Sequence, residues 1–122
     1  MWDMKPLDIA LACWLVACLI AALLQLAAPA RIASKSAWGN APGWQREIAL
    51  WNFALCVGIV YALASHDALG KLLMGRIITI LSLLFGLNHL AAALRVPALT
   101  HTVGVAANGL GLALMVWALL AS

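Results

Sequence analysis

Apolar residues in this chain do not alternate with polar ones; they run. Four long stretches cover residues 7–28, 47–65, 72–94 and 102–121, the third interrupted by Arg76 and by Asn88 and His89. Each approaches the ~20 residues a helix needs to cross the hydrocarbon of a bilayer. No water is available there to satisfy backbone amides and carbonyls, so a run of this length must be helical. The stretches are also far longer than the roughly 10-residue alternating strands of a membrane barrel. The pattern predicts an all-α integral membrane four-helix bundle forming one transmembrane domain over residues 1–122. An even number of crossings puts both termini on the same side.

The connections differ in character. Residues 66–71 make a tight turn, and residues 95–101 contain Pro97, which ends the preceding helix. The first connection is longer and holds Trp38, Gly39, Asn40, Pro42, Gly43 and Trp44. Tryptophans suit the headgroup layer. Asn40 is a candidate N-cap and Pro42 suits a first helical turn, so the second span can begin near Pro42. The first stretch is too long for the ~7–15-residue apolar core of a cleaved signal and is expected to be a retained span.

Helical spacing adds a second layer. Small or polar residues recur at steps of three and four in every span. The stripes are Leu11, Leu15, Cys18, Ala22 and Gln25; Glu47, Trp51, Ala54, Gly58 and Tyr61; Thr79, Ser82, Gly86, His89 and Ala93; and His101, Gly104, Asn108, Gly111 and Met115. Lipid gives helices no hydrophobic reason to associate, so they pack through small residues that allow close approach. These four stripes are expected to face the bundle interior.

Composition narrows the class. Hydrophobic residues make up 66% of the chain and charged residues 9%, against about 45–50% and about 25% in soluble domains. A soluble globule is excluded. The net charge of +3 comes from basic residues scattered singly, which suit the flanks of a bilayer and give no basic patch for nucleic acid. They divide too evenly between the two ends to fix orientation. Three cysteines sit inside apolar runs without a C-x-x-C pair, which argues against a disulfide framework or a thiol-redox motif.

The chemistry-bearing residues converge at one end. Alternating helix direction places Gln25, Glu47, Asn52, Asn88, His89, His101 and Asn108 in one leaflet. His89 lies five residues before Leu94, about 7.5 Å along the helix. Polar groups at membrane depth are costly unless they face a cavity or one another. A pocket open to that side is expected, lined by Gln25, Glu47, His89, His101 and Asn108, with Trp38 and Trp44 in a lid above it and Trp51 on its wall. Glu47 and His89 would be its acid–base pair if it is catalytic. Gln25, Trp44, Trp51, Asn52, Asn88, His101 and Asn108 would be its ligand-binding residues. Each has a plainer explanation. Glu47 can complement a helix N-terminus. His89 and Asn108 can bond between helices, His101 can sit among headgroups, and the tryptophans can be interface anchors. Asn52 lies about 140° around the helix from Glu47 and faces a different neighbour. Two histidines and a carboxylate are a metal-ligand set, but no local spacing fixes their geometry, and no metal site is assigned. No cofactor is assigned either, although a quinone would suit such a pocket.

The stretch Pro42-Gly43-Trp44-Gln45-Arg46-Glu47-Ile48-Ala49-Leu50-Trp51-Asn52 resembles the start of the second helix in a family of small four-helix bacterial membrane proteins of unknown function. Gly86-Leu87-Asn88-His89 resembles that family's third-helix segment, and Asn108 a later polar position. The likeness covers roughly residues 40–115. It is also similar to the broader DoxX-like group, some members of which are linked to quinone or thiosulfate oxidation. The third connection departs from the family's Asn/Gly-rich pattern, carrying Val96-Pro97-Ala98-Leu99. The resemblance implies a bacterial cytoplasmic (inner) membrane location and no particular activity. The leading expectation is therefore a protein that binds a quinone-like, lipid-like or other amphipathic small molecule in a one-sided polar pocket. A small membrane enzyme using Glu47 and His89, and a structural subunit of a homo-oligomer or larger membrane complex, are the alternatives.

Overall fold

The structure is a computed structural model, and it describes residues 5–122. Those residues are all-helical, with no strand among them. In chain order the helices are α1 (Pro6–Ala27), α2 (Pro29–Ala33), α3 (Pro42–Ala64), α4 (Ala68–Arg95) and α5 (Leu99–Leu120). The four long ones, α1, α3, α4 and α5, are each long and apolar enough to cross a membrane.

The helix ends follow local chemistry. Pro6, Pro29 and Pro42 open α1, α2 and α3, where the missing amide is no loss and the fixed φ favours the helix. The cap of α3 is Ala41, one residue beyond the candidate Asn40, and no side chain bonds its first turn. Asp67 caps α4, its two carboxylate oxygens accepting the amides of Leu69 at 3.0 Å and Gly70 at 2.9 Å. That cap starts α4 four residues earlier than the hydrophobic run alone indicates. At its other end α4 gives way to the extended Val96 before Pro97, since the residue preceding a proline is driven out of the α region.

Each long helix has a defined neighbourhood. α1 packs along α3 and also touches α4 and α5, while α4 and α5 pack along each other. The apolar core lies toward the start of α1. It joins Leu7, Ala10 and Leu11 to Ile59, Ile78, Met115 and Ala118. An ion pair closes this end, with Lys71 Nζ 2.7 Å from the Asp8 carboxylate. The Asp8–Lys71 contact brings together the starts of α1 and α4, so these two helices run in the same direction.

Close approach is carried by rings seated on glycines. Trp14 of α1 lies flush against Gly111 and donates its indole N–H to the Gly111 carbonyl at 3.3 Å. His89 of α4 lies flush against Gly104. A Cβ at either glycine would overlap the ring, which is how small residues let membrane helices approach.

Three of the four stripes face inward, and of the α3 stripe only Gly58 does, against Met74 of α4. Leu11, Cys18 and Ala22, Ser82, and His101 and Met115 are buried. On α3, by contrast, Trp51 is 68% exposed and Tyr61 73% exposed, and Glu47 and Ala54 are exposed too. The face that α3 turns inward carries Gln45, Ala49, Cys56, Ile59 and Ala62. The physical reason is a competing stripe. Ala49, Cys56 and Ala62 form a second small-residue stripe beside that of Ala54 and Gly58, and this is the one that meets α1. Cys56 Sγ–H points at the Leu15 carbonyl of α1, 3.7 Å away.

Candidate functional site

The end opposite the Asp8–Lys71 pair is held by polar contacts. Two helices supply a histidine each: His89 in the last third of α4 and His101 in the first turn of α5. Because α4 and α5 are joined by the short connection 96–98, these residues come level with each other. The ring Nδ1 atoms are 3.3 Å apart. Segment 34–41, which follows α2, crosses above them. Ala37 donates its backbone N–H to His101 Nε2 at 2.9 Å. Trp38 packs on both rings, with centroids 4.9 Å from His89 and 4.5 Å from His101. The segment is also tied to α5 through the Thr100 amide and the Lys35 carbonyl at 3.4 Å. His101 is wholly buried.

These contacts fix where the protons are. A backbone amide can only donate, so His101 Nε2 is an acceptor. In a neutral imidazole one nitrogen carries the hydrogen and the other accepts. The His101 proton is therefore on Nδ1, where it is donated to His89 Nδ1. His89 must in turn carry its proton on Nε2. Both rings are neutral, and the tautomer of each is set by its neighbour. The same contact opposes metal ligation through His101 Nδ1, since a neutral imidazole metallated there would carry its hydrogen on Nε2, facing the Ala37 amide. Among the described residues no group of three His, Cys, Asp or Glu side chains is placed to hold a metal ion.

Two depressions open beside this cluster. One, about 290 Å³, is lined by Ala37, Trp38, Asn88, Ala91, Ala92, Arg95 and Val96. The other, about 450 Å³ and more open, lies between segment 34–37 and residues 96–99, with Lys35 on its wall. The first combines an indole face, a carboxamide, a guanidinium and small apolar residues at the end of α4.

The residues singled out from the sequence, Gln25 apart, fall into three groups. His89 and His101 meet, under the Trp38 expected in the lid, and Asn88 lines the adjoining depression. Asn52 and Asn108 are instead absorbed by their own helices. Their side-chain N–H groups donate to the Ile48 and Gly104 carbonyls at 2.9 and 2.8 Å. Thr79 and Ser82 bond back to Gly75 and Ile78 in the same way, at 2.8 and 2.6 Å. A polar side chain on an apolar helix satisfies itself most simply on the carbonyl four residues earlier. Glu47, Trp44 and Trp51 lie outside the cluster. All three are exposed, and Glu47 makes no hydrogen bond or ion pair among the described residues. The α3 rotation that seats Ala49 and Cys56 against α1 carries Glu47 and Trp51 outward.

Gln25 and Gln45 form a separate feature. Gln45, part of the resembling stretch but not among the candidate site residues, is buried, and its Nε2 donates to the Pro29 carbonyl at 2.7 Å. It thereby ties the start of α3 to the start of α2. Its Oε1 and that of Gln25 are both buried without a hydrogen-bond partner. A polar residue three positions after Pro42, on the α1-facing side, was the available signal for Gln45.

Compared with known proteins, the chain matches no protein family, no curated protein and no solved structure.

Proposed function

We propose that this chain is an integral protein of a bacterial cytoplasmic membrane, a four-helix bundle with both termini on one side and a distant relative of the DoxX-like group. Its role in this reading is to bind an amphipathic small molecule, quinone-like or lipid-like, at the end of α4. The observation that carries the reading is the depression of about 290 Å³ whose lining joins Trp38, Asn88 and Arg95 to the small apolar Ala91 and Ala92. Ligand sites combine apolar walls with a few placed polar groups. Here the guanidinium and carboxamide suit a hydrogen-bond-accepting or anionic head, the indole a flat ring, and the neighbouring lipid-facing leucines a tail. Segment 34–41 is the lid, and the histidine pair beneath Trp38 holds the lid in place.

Purification in mild detergent, solvent extraction and mass spectrometry test this directly. A stoichiometric amphipathic compound is expected from the wild-type protein and is lost from Trp38→Ala and Arg95→Gln. A short-tail ubiquinone analogue serves as the added probe for a quinone head and a fatty acid for an anionic one. A ligand-free extract, together with equal binding of both probes by wild type and variants, refutes the reading.

The outward face of α3 favours a second role, that of a subunit within a larger membrane complex. Glu47, Trp51, Ala54 and Tyr61 share that face and are exposed among the described residues. Photocrosslinking from position 51 in native membranes distinguishes the two: a discrete protein adduct supports the subunit, and lipid adducts alone oppose it.

A further inference from the structure

We propose that the His89–His101 pair is a proton-operated latch on segment 34–41: two neutral rings hold the segment through Ala37, and one added proton releases it. The inference concerns the lid itself and stands whether or not the depression beside it binds a ligand.

The argument is a count of hydrogens. The closed arrangement uses three ring nitrogens. His101 Nε2 accepts from Ala37, His101 Nδ1 donates, and His89 Nδ1 accepts. Only His89 Nε2 lies outside the chain of bonds, and it already carries its proton. A further proton thus has two places to go. On His101 Nε2 it faces the Ala37 N–H, and two donors cannot share a bond. On His89 Nδ1 it faces the His101 Nδ1–H. That conflict is relieved when His89 becomes the donor and the His101 hydrogen moves to Nε2. The two rings then keep their bond and the Ala37 contact is the one lost. The freed amide then faces an N–H in place of an acceptor, and the segment must move to satisfy it.

The charged groups around the pair do not offset an added positive charge. At this end they are Arg31 on α2, Lys35 in the segment, Arg46 and Glu47 on α3, and Arg95 on α4; α1 contributes only the uncharged Gln25, and α5 carries no charged residue, His101 being its one titratable group. Among the described residues the only ion pair is the Asp8–Lys71 contact at the opposite end. The two charged side chains that line the depressions beside the pair, Lys35 and Arg95, are both cations, and among the described residues no carboxylate bonds either ring, so no counter-ion compensates the lost Ala37 bond. The sign follows: the latch is closed when both histidines are neutral and opens as the pH falls through their titration.

Nitrogen-15 NMR of the full chain in detergent micelles, with labelled histidine and labelled backbone, tests this without a ligand. At pH 8, His101 should show the Nδ1–H tautomer and His89 the Nε2–H tautomer. On acidification the Ala37 amide should shift with the same midpoint as the pair. In His101→Gln the Ala37 amide should no longer follow pH. An Nε2–H tautomer at His101 at pH 8 overturns the proposal. So does an Ala37 amide that stays fixed through the histidine transition, or one that still titrates in His101→Gln. If that variant loses its helical circular dichroism, the wild-type tautomers and the shared midpoint decide the matter alone.

Discussion

Replacing Gly104 by alanine tests the packing logic at its tightest point. The added Cβ falls within contact distance of Cγ, Nδ1 and Cε1 of His89 together. That ring has little freedom, because it is bonded to His101 at 3.3 Å and covered by Trp38. Either the ring leaves its place or α4 and α5 separate. Overpacking of this kind costs about 1–3 kcal/mol, and loss of the ring–ring hydrogen bond adds about 1 kcal/mol. Alanine returns about 1 kcal/mol through helix propensity. The net expectation is a destabilisation of about 1–3 kcal/mol. Gly109→Ala is the matched control, since a Cβ there meets nothing within 4 Å, and it should be neutral or slightly stabilising. Reversible unfolding in mixed micelles, followed by far-ultraviolet circular dichroism, measures both. A third variant isolates the contact. In a His89→Ala background the Gly104→Ala change should lose most of its cost, because the obstructing ring is gone. Equal stability of Gly104→Ala and Gly109→Ala, or an undiminished cost without His89, refutes the reasoning.

Two further outcomes follow from local contacts. Asp67→Ala removes the carboxylate that accepts the Leu69 and Gly70 amides and should cost about 1 kcal/mol in the same unfolding assay, with Asp67→Asn recovering most of the loss. Cys18 and Cys56 are buried and Cys13 is exposed. Alkylation with N-ethylmaleimide in micelles, read by intact mass, should therefore leave two thiols unmodified until denaturant is added; three adducts on the folded protein contradict the α1–α3 packing.

The long helices were legible because membrane crossing imposes a length, and the hydrophobic runs carry that length directly. Their exact starts were less so: the Asp67 cap extends α4, and the short α2 sits in a stretch with no periodicity to announce it. The site was legible in part for a physical reason. A histidine or an asparagine in an apolar run must satisfy its polar atoms, but the sequence does not say where. Asn52 and Asn108 do it on their own helices, whereas His89 and His101 do it on each other. The outward turn of Glu47 could not be read, because α3 carries two small-residue stripes of similar quality and only the shape of α1 chooses between them. Nor could the role of Ala37, whose contribution is a backbone amide and leaves no mark in residue type.

Gly104 and Gly111 are seven residues apart, two turns of one helix, and each receives a ring from a different neighbour. The pair fixes the azimuth of α5 as two pegs fix a shaft. Turning the helix by a single residue would present a side chain where each ring now rests, so intermediate rotations are barred from both directions at once. Inserting one residue between the two glycines would set the pegs about 100° out of phase, and α5 could then seat against α1 or against α4, but no longer against both.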